Sequence, residues 1–226
     1  MLTQQTSEPV CEIGGGRKAR YFLQQSIDEG TILLPEGCAV RLLFQTLHDV
    51  ALMLDREQAG PEASPTAGGI DSQTVKGPSD SGGGGYDAAK KVKGRKRHIA
   101  VDTDGRLLLV NLTPADVQDA QGAEQIIKAV HQRWPFLKHL FADGAYDWGR
   151  LMSQAAYRDF VIEIVRKLAN QDGYQPLPRR WVVERTCGWM TRWRRLVRDY
   201  EERCDVSEAM MRVAMSSLML RRIAHP

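Results

Sequence analysis

Apolar side chains recur at helical spacing between residues 40 and 58, so the segment VRLLFQTLHDVALMLDREQ predicts an amphipathic helix. The segment after it, GPEASPTAGG (60–69), is rich in glycine, proline and small residues and predicts a loop. Residues 1–38 show no clear period. We therefore divide the chain at this loop into a partly helical N-terminal segment over 1–60 and a main domain over 61–226.

Shorter apolar runs beyond the loop predict strands. In chain order these strands are Ile70–Val75, His98–Asp102, Arg106–Leu112, Leu137–Ala142 and Phe160–Arg166. A hairpin is predicted at Asp104 and Gly105, because an Asp-Gly pair favours the tight turn between two strands. The glycine-rich segment SDSGGGGYD (79–87) is predicted to be a flexible loop.

Helical patterns separate the later strands. The predicted helices run from Thr113 to about Arg133, from Trp148 to Arg158, from Arg180 to Val197 and from Val206 to Ile223. A three-stranded meander followed by alternating helices and strands is the element order of a ribonuclease-H-like fold. We therefore predict an α/β domain with a mixed five-stranded sheet flanked by helices.

The composition is that of an ordinary globular protein, with 42% hydrophobic and 26% charged residues. No apolar run is long enough to span a bilayer, and the N-terminus lacks the basic and apolar pattern of a secretion signal. The four cysteines lack the spacing of a zinc site. These features predict a cytoplasmic protein that makes no membrane contact.

The net charge is only +3, but basic residues are concentrated in two stretches, KKVKGRKRH (90–98) and RRWVVERTCGWMTRWRRLVR (179–198). One isolated cluster is as consistent with a solvated face as with a polyanion, whereas two clusters beside a group of carboxylates favour nucleic acid. The residues predicted to contact DNA are Lys90, Lys91, Lys93, Arg95, Lys96, Arg97, Arg180 and Arg192. We expect the first six to form a flexible arm along the DNA backbone.

Three carboxylates occupy related places in the predicted fold. Asp71 lies within the first strand, Asp143 follows the fourth, and Glu184 lies in the helix after the fifth. The first and fourth strands are neighbours in such a sheet, so the three side chains can converge. Converging carboxylates repel one another unless cations lie between them, and their hard oxygens suit Mg²⁺ or Mn²⁺. Taken singly, Asp143 could be only a turn residue and Glu184 only an ion-pairing residue.

Several segments also resemble a known family. They are IDSQTVK (70–76), GYDAAKKVKGRKRHIAVDTDG (85–105), TPADVQDAQGA (113–123), ADGAYD (142–147) and RRWVVERTCGWMTRWRRLVRDYE (179–201). Together they resemble the catalytic core of DDE transposases from bacterial insertion sequences, in the branch named after insertion sequence 5. The resemblance covers roughly residues 40–226.

The resemblance implies that Asp71, Asp143 and Glu184 are the catalytic, metal-binding triad. It implies Mg²⁺ as the cofactor, with Mn²⁺ able to substitute. The implied partners are the DNA ends of the element, target DNA and a second copy of the chain on paired ends. The implied location is the bacterial cytoplasm, in association with the nucleoid.

The sequence departs from the family pattern in two places. The family's signature around the glutamate has Tyr, Arg and Lys at set spacings, of which Arg180 matches, whereas Leu177 and Thr191 do not. Residues 1–38 do not resemble the helical, Trp- and Arg-rich segment expected before the core, which suggests a truncated start. A DNA-binding regulator without catalytic activity therefore stays open as an alternative, as does a plain nuclease of the ribonuclease-H type.

Two tryptophans of the second basic stretch complete the candidate chemistry. Trp189 and Trp193 are four residues apart and are predicted to share one helix face. Packing against the sheet and stacking on a DNA base both remain open for them.

Overall fold

The computed structural model of the chain describes residues 38–77, 84–166, 177 and 179–225. Its strands are β1 (Ala67–Lys76), β2 (Gly85–Asp87), β3 (Val92–Asp102), β4 (Leu107–Pro114), β5 (His139–Ala142) and β6 (Val161–Ile164). Its α-helices are α1 (Cys38–Gln58), α2 (Asp119–Arg133), α3 (Gly149–Tyr157), α4 (Trp181–Thr191) and α5 (Cys204–Ala224). Two 3₁₀ turns lie at Gly144–Tyr146 and Arg194–Leu196.

The strands form one mixed sheet. Strand β3 is antiparallel to β1 on one side and to β4 and β2 on the other. Strand β5 is parallel to both β1 and β6, so the path across the sheet runs β2-β3-β1-β5-β6, with β4 beside β3. The meander followed by a parallel pair confirms the predicted ribonuclease-H-like fold. The sheet has one strand more than predicted, because Gly85–Asp87 pairs with the start of β3 instead of belonging to the predicted loop.

Alternation along the strands gives the sheet a core on each face. Ala100 of β3 packs in a cluster with Ile126 of α2 and Leu151 of α3. Its neighbour Ile99 points the opposite way, into a second cluster that contains Val183 of α4 and several residues of α5. The sheet is therefore covered by helices on both sides.

Three predicted boundaries are wrong. Strand β3 begins at Val92 and not at His98, so the basic segment forms part of the sheet. Helix α2 begins at Asp119, because Thr113 and Pro114 still belong to β4. Helix α4 ends at Thr191, well before Val197, and a 3₁₀ turn replaces its predicted last part.

The other predicted helices and the hairpin are confirmed. The chain turns at Asp104 and Gly105, where Gly105 has a φ of +83° that favours glycine. The predicted loop at 79–87 falls largely outside the described residues, and the segment 1–37 falls wholly outside them. None of the described helices is long and apolar enough to cross a membrane.

Helix α1, which the sequence assigns to the N-terminal segment, packs directly against α5. Leu52 is fully buried in the same cluster as Met219, and the Gln58 side chain donates to the Ile223 carbonyl at 3.2 Å. Asp55 accepts from Arg106 at the end of the hairpin, at 2.5 Å. The described part of α1 therefore shares its core with the domain that carries the sheet.

Candidate active site

The sheet brings Asp71 and Asp143 side by side. Gly69 of β1 pairs in parallel register with Phe141 of β5, and continuing that register by two residues places Asp71 beside Asp143 on the same face. The Ser72 backbone N–H donates to Asp71 Oδ1 at 2.7 Å. Asp143 Oδ1 accepts from the Ala145 N–H at 2.8 Å, which caps the turn after β5. Both carboxylates are thus oriented by the backbone beside them.

Helix α4 brings Glu184 to the same place. The helix starts against β1, where a Cβ added at Gly69 would lie 3.7 Å from the Val183 Cβ and 3.8 Å from the Arg179 carbonyl oxygen. Glu184 is in the first turn of this helix and is half-buried. The close approach at Gly69 therefore holds the start of α4 against β1, the strand that carries Asp71.

Arg180 connects two of the carboxylates. Its Nη2 atom lies 3.2 Å from Glu184 Oε1 and 3.7 Å from Asp143 Oδ2. Asp143 and Glu184 therefore share the positive charge of the Arg180 guanidinium, which offsets the repulsion between the two carboxylates. The charge of Asp143 also acts on Asp71. Burial and this negative charge raise the pKa of Asp71 to about 6. The Ser72 N–H, Arg180 and Lys90 act in the opposite direction and lower it.

The donor chemistry of this group fits a divalent cation. Three carboxylates supply hard oxygen ligands, and a bound cation would relieve both causes that raise the pKa of Asp71. Among the residues that the structure describes, however, no three acidic, histidine or cysteine side chains are placed to hold a metal ion as they stand. The side chain that already neutralises Asp143 and Glu184 is Arg180.

A buried polar network supports the strand that carries Asp71. The Ser72 hydroxyl donates to Asp119 Oδ1 at 2.7 Å, and Lys96 Nζ lies 2.9 Å from the same oxygen. Lys96 also donates to the Val117 carbonyl at 2.8 Å. The network fixes β1 to β3 and to the start of α2. Sequence reasoning missed this role of Asp119, although the residue lies in one of the family-like segments.

The exposed basic arm predicted from the sequence is wrong for three of its six residues. Arg95, Lys96 and Arg97 are buried within β3. Arg95 pairs with Asp199 at 3.0 Å, and Arg97 donates to the Leu196 carbonyl at 2.7 Å. Because these partners come from the segment after α4, the charges can be buried inside the sheet. They therefore do not form the flexible arm that was predicted, and their contact with DNA stays an untested prediction.

The remaining predicted DNA-contact residues lie at the surface or in the site. Lys90, Lys91 and Lys93 are exposed, and Lys90 is near enough to Asp71 to lower its pKa. Arg192 is exposed at the end of α4. Arg180 is held by the carboxylates described above. A role of these five residues in binding DNA stays a prediction.

The raised pKa of Asp71 predicts that Asp71→Asn stabilises the metal-free protein at neutral pH. The carboxyl is protonated in both states below about pH 3, whereas above pH 6 folding must bury its charge. Because the carboxyl is partly exposed, we expect a gain of about 1–2 kcal/mol above pH 6 and none below about pH 3. Urea unfolding of both proteins across this range measures it.

A control separates this effect from a general loss of negative charge. Glu57→Gln removes an exposed carboxylate from α1 and should leave the free energy of unfolding unchanged within about 0.5 kcal/mol. Equal gains for the two variants, or a gain for Asp71→Asn that persists at low pH, would contradict the assignment of a buried charge to Asp71.

Comparison with known proteins gives the family. A family model described as the transposase DDE domain matches residues 62–219. Over 128 residues the chain is 33% identical to a protein of Burkholderia cepacia described as a putative transposase for insertion sequence element IS402. That match covers 53% of this chain and 60% of the relative, so the chain spans less than two thirds of the relative's length.

Two solved structures are similar at a lower level. The catalytic core domain of BIV integrase is 15% identical, with a TM-score of 0.39 over 64% of this chain and 80% of that one. The Mos1 strand transfer complex is 12% identical, with a TM-score of 0.28 over 91% of this chain and 69% of that one. The family model alone spans more than half of the chain, and it shows that the chain belongs to the transposase DDE domain family.

Proposed function

We propose that the chain is a DNA transposase that cleaves DNA strands and transfers the ends of an insertion sequence in a metal-dependent reaction. Asp71, Asp143 and Glu184 are the proposed catalytic and metal-binding residues. The observation that carries the proposal is the Arg180 guanidinium, which lies against both Asp143 and Glu184, while the charge of Asp143 acts on Asp71. Membership of the transposase DDE domain family supports it.

The proposed chemistry assigns a task to each group of residues. Bound Mg²⁺ or Mn²⁺ supplies positive charge that activates the attacking oxygen and stabilises the leaving oxygen of a phosphodiester. The three carboxylates would hold these ions, and the Ser72 N–H keeps Asp71 Oδ1 in place. With Asp143 and Glu184 engaged in this way, the Arg180 guanidinium would be available to a phosphate oxygen.

The proposed partner is DNA, both at the element ends and at the target. Lys90 and Lys91 lie in the turn before β3 and Lys93 lies at the start of that strand. All three are exposed, so they can contact phosphates without reading the sequence. Arg192 would extend the contact along α4. A second copy of the chain on paired ends, as the resemblance implies, belongs to the same proposal.

We also propose that the catalytic domain begins at α1. The sequence divides the chain near residue 60, but Leu52 is buried with Met219 and Asp55 accepts from Arg106. A domain cut after residue 60 would lose these contacts. The functional unit that we propose is therefore the described chain from α1 to α5.

One observation favours a second candidate function, a DNA-binding regulator of transposition without catalytic activity. Arg180 already neutralises Asp143 and Glu184, and no described group of three ligands stands ready for a metal ion. If Arg180 could not be displaced, the basic surface would still bind DNA. The two candidates differ only in whether a divalent ion can compete with this guanidinium.

A plasmid assay distinguishes them. The purified chain is incubated with supercoiled plasmid and a labelled oligonucleotide that has a free 3′-hydroxyl, in Mn²⁺, in Mg²⁺ or in chelator. A transposase gives metal-dependent nicking and joins the label to the plasmid. A regulator shifts the plasmid in a gel without nicking it. Nicking without joining, together with cleavage of an RNA–DNA hybrid, would identify a ribonuclease-H-type nuclease instead.

A further inference from the structure

A cleft lies on the side of the domain where α4 ends and α5 passes beneath it. Its volume is about 350 Å³, within the range of ligand pockets in proteins. The side chains that matter here are Trp189, Trp193, Arg192, Arg194, Arg221 and Met215. The cleft therefore has indole and thioether walls and a rim of guanidinium groups.

The three arginines of the cleft lack partners within the described chain. The side chains of Arg192, Arg194 and Arg221 are exposed and make no hydrogen bond or ion pair with any described residue. Nearby arginines behave differently: Arg195 pairs with Glu201 at 2.8 Å and Arg203 with Asp205 at 2.6 Å. Because none of the described residues that line the cleft is acidic, its positive charge is left for an external anion.

One indole of the cleft is held rigidly by stacked cations. The Arg185 guanidinium lies 4.6 Å from the Trp189 ring centroid, and the Arg222 guanidinium lies 4.8 Å from it. These cation–π contacts fix the plane of Trp189. Trp193 has no such cation among the described residues, and it is half-buried. Trp193 packs partly against the second core cluster, and its remaining face is the aromatic surface left to receive a ligand.

We propose that this cleft binds one unpaired nucleotide of a DNA strand. The base would stack on Trp193. The phosphates of the strand on either side of this nucleotide would contact Arg192, Arg194 and Arg221. An unpaired nucleotide fits better than duplex DNA, because a paired base has no free face to offer an indole. The identity of the ligand as DNA rests on the proposed function.

The position of the cleft makes it distinct from the carboxylate group. Trp189 lies five residues after Glu184 on α4, about 7.5 Å further along the helix axis and on another side of it. The carboxylate side faces β1 and β5, whereas the cleft faces α5. A strand that leaves the carboxylates along α4 would meet the cleft within a few nucleotides.

The test measures binding in chelator, so that its result does not depend on the carboxylates. Fluorescence anisotropy of a labelled oligothymidylate gives the affinity for an unpaired strand, and a labelled duplex serves as the comparison. Trp193→Ala should weaken oligothymidylate binding about tenfold and duplex binding less than twofold. Trp193→Phe should restore most of the loss, because phenylalanine keeps an aromatic face.

A second set of variants replaces arginines of the cleft whose side chains are exposed and do not contribute to the core. Arg194→Glu and Arg221→Glu together should lower the oligothymidylate affinity at least tenfold and flatten its salt dependence. Arg198→Glu is the matched control, an exposed arginine of the same segment outside the cleft, and should cost less than threefold. Tyr157→Ala, an exposed aromatic on α3, is the control for Trp193.

Two results would overturn the proposal. One is that the protein with both Arg194→Glu and Arg221→Glu binds oligothymidylate as tightly as the Arg198→Glu control does. The other is a Trp193→Ala loss that is equal for duplex and unpaired strands. If the wild-type chain binds oligothymidylate through the cleft but nicks no plasmid in Mn²⁺, the cleft stands and the catalytic proposal fails.

Discussion

Asp143→Asn is expected to reduce Mn²⁺-dependent plasmid nicking at least about a thousandfold, because the carbonyl of an amide is a far weaker ligand than a carboxylate. The charge stabilisation that a bound ion gives the transition state is worth several kcal/mol, and each 1.4 kcal/mol is a factor of ten in rate. The same loss is expected for Asp71→Asn and Glu184→Gln. Quantified nicking under single-turnover conditions measures it.

A matched control lies in the same loop. Asp147 follows Asp143 by four residues, is exposed, and pairs with Arg166. Asp147→Asn should keep nicking within about threefold of the wild type. The stabilisation of the wild-type chain by Mn²⁺, followed as a shift in melting temperature, should vanish in Asp143→Asn and persist in Asp147→Asn. An Asp143→Asn protein that nicks normally would exclude the proposed triad.

Asp102→Ala is expected to destabilise the domain by about 3–5 kcal/mol, the usual cost of removing one partner from a buried ion pair. Asp102 is fully buried, accepts from Arg56 Nη1 at 2.5 Å and lies 3.3 Å from Arg106 Nη1. It also accepts from the Arg106 backbone N–H at 2.8 Å. Its removal would leave two buried guanidinium groups short of a partner.

Chemical denaturation measures this loss, and a surface pair supplies the comparison. Asp159 pairs with Lys138 but is 87% exposed in its side chain, so Asp159→Asn should cost far less than Asp102→Ala. The two substitutions delete the same type of group from an acid–base pair. Similar costs would mean that the Asp102 network contributes no more than a solvated pair does.

The sequence was sufficient to predict the order of the strands and the place of the carboxylates. Alternation in HIAVD and the Asp-Gly turn define a hairpin locally, and the register between β1 and β5 then puts Asp71 beside Asp143. These features depend on neighbouring residues and on the rules of sheet connection. They could therefore be predicted without knowledge of distant contacts.

Features that depend on remote partners could not be predicted. The local pattern of KGRKRH predicts a solvated arm. Burial of Arg95 and Arg97 is favourable only because Asp199 and the Leu196 carbonyl, about a hundred residues further along the chain, contact them. The early end of α4 at Thr191 has the same origin, since the chain must turn there to bring these groups to β3. The cleft beside Trp193 arises from that turn and has no signature in the local pattern.

The packing of α1 against α5 also bears on how the domain is made in the cell. Synthesis proceeds from the N-terminus, so α1 leaves the ribosome long before its partner α5 exists. Until then Leu52 lacks Met219, and Asp55 lacks the Arg222 guanidinium that lies 3.5 Å away in the finished domain. An apolar helix face that must wait for α5 stays exposed while the intervening residues are synthesised, and it is then open to chaperones. The core of the domain is therefore complete only once α5 has been made.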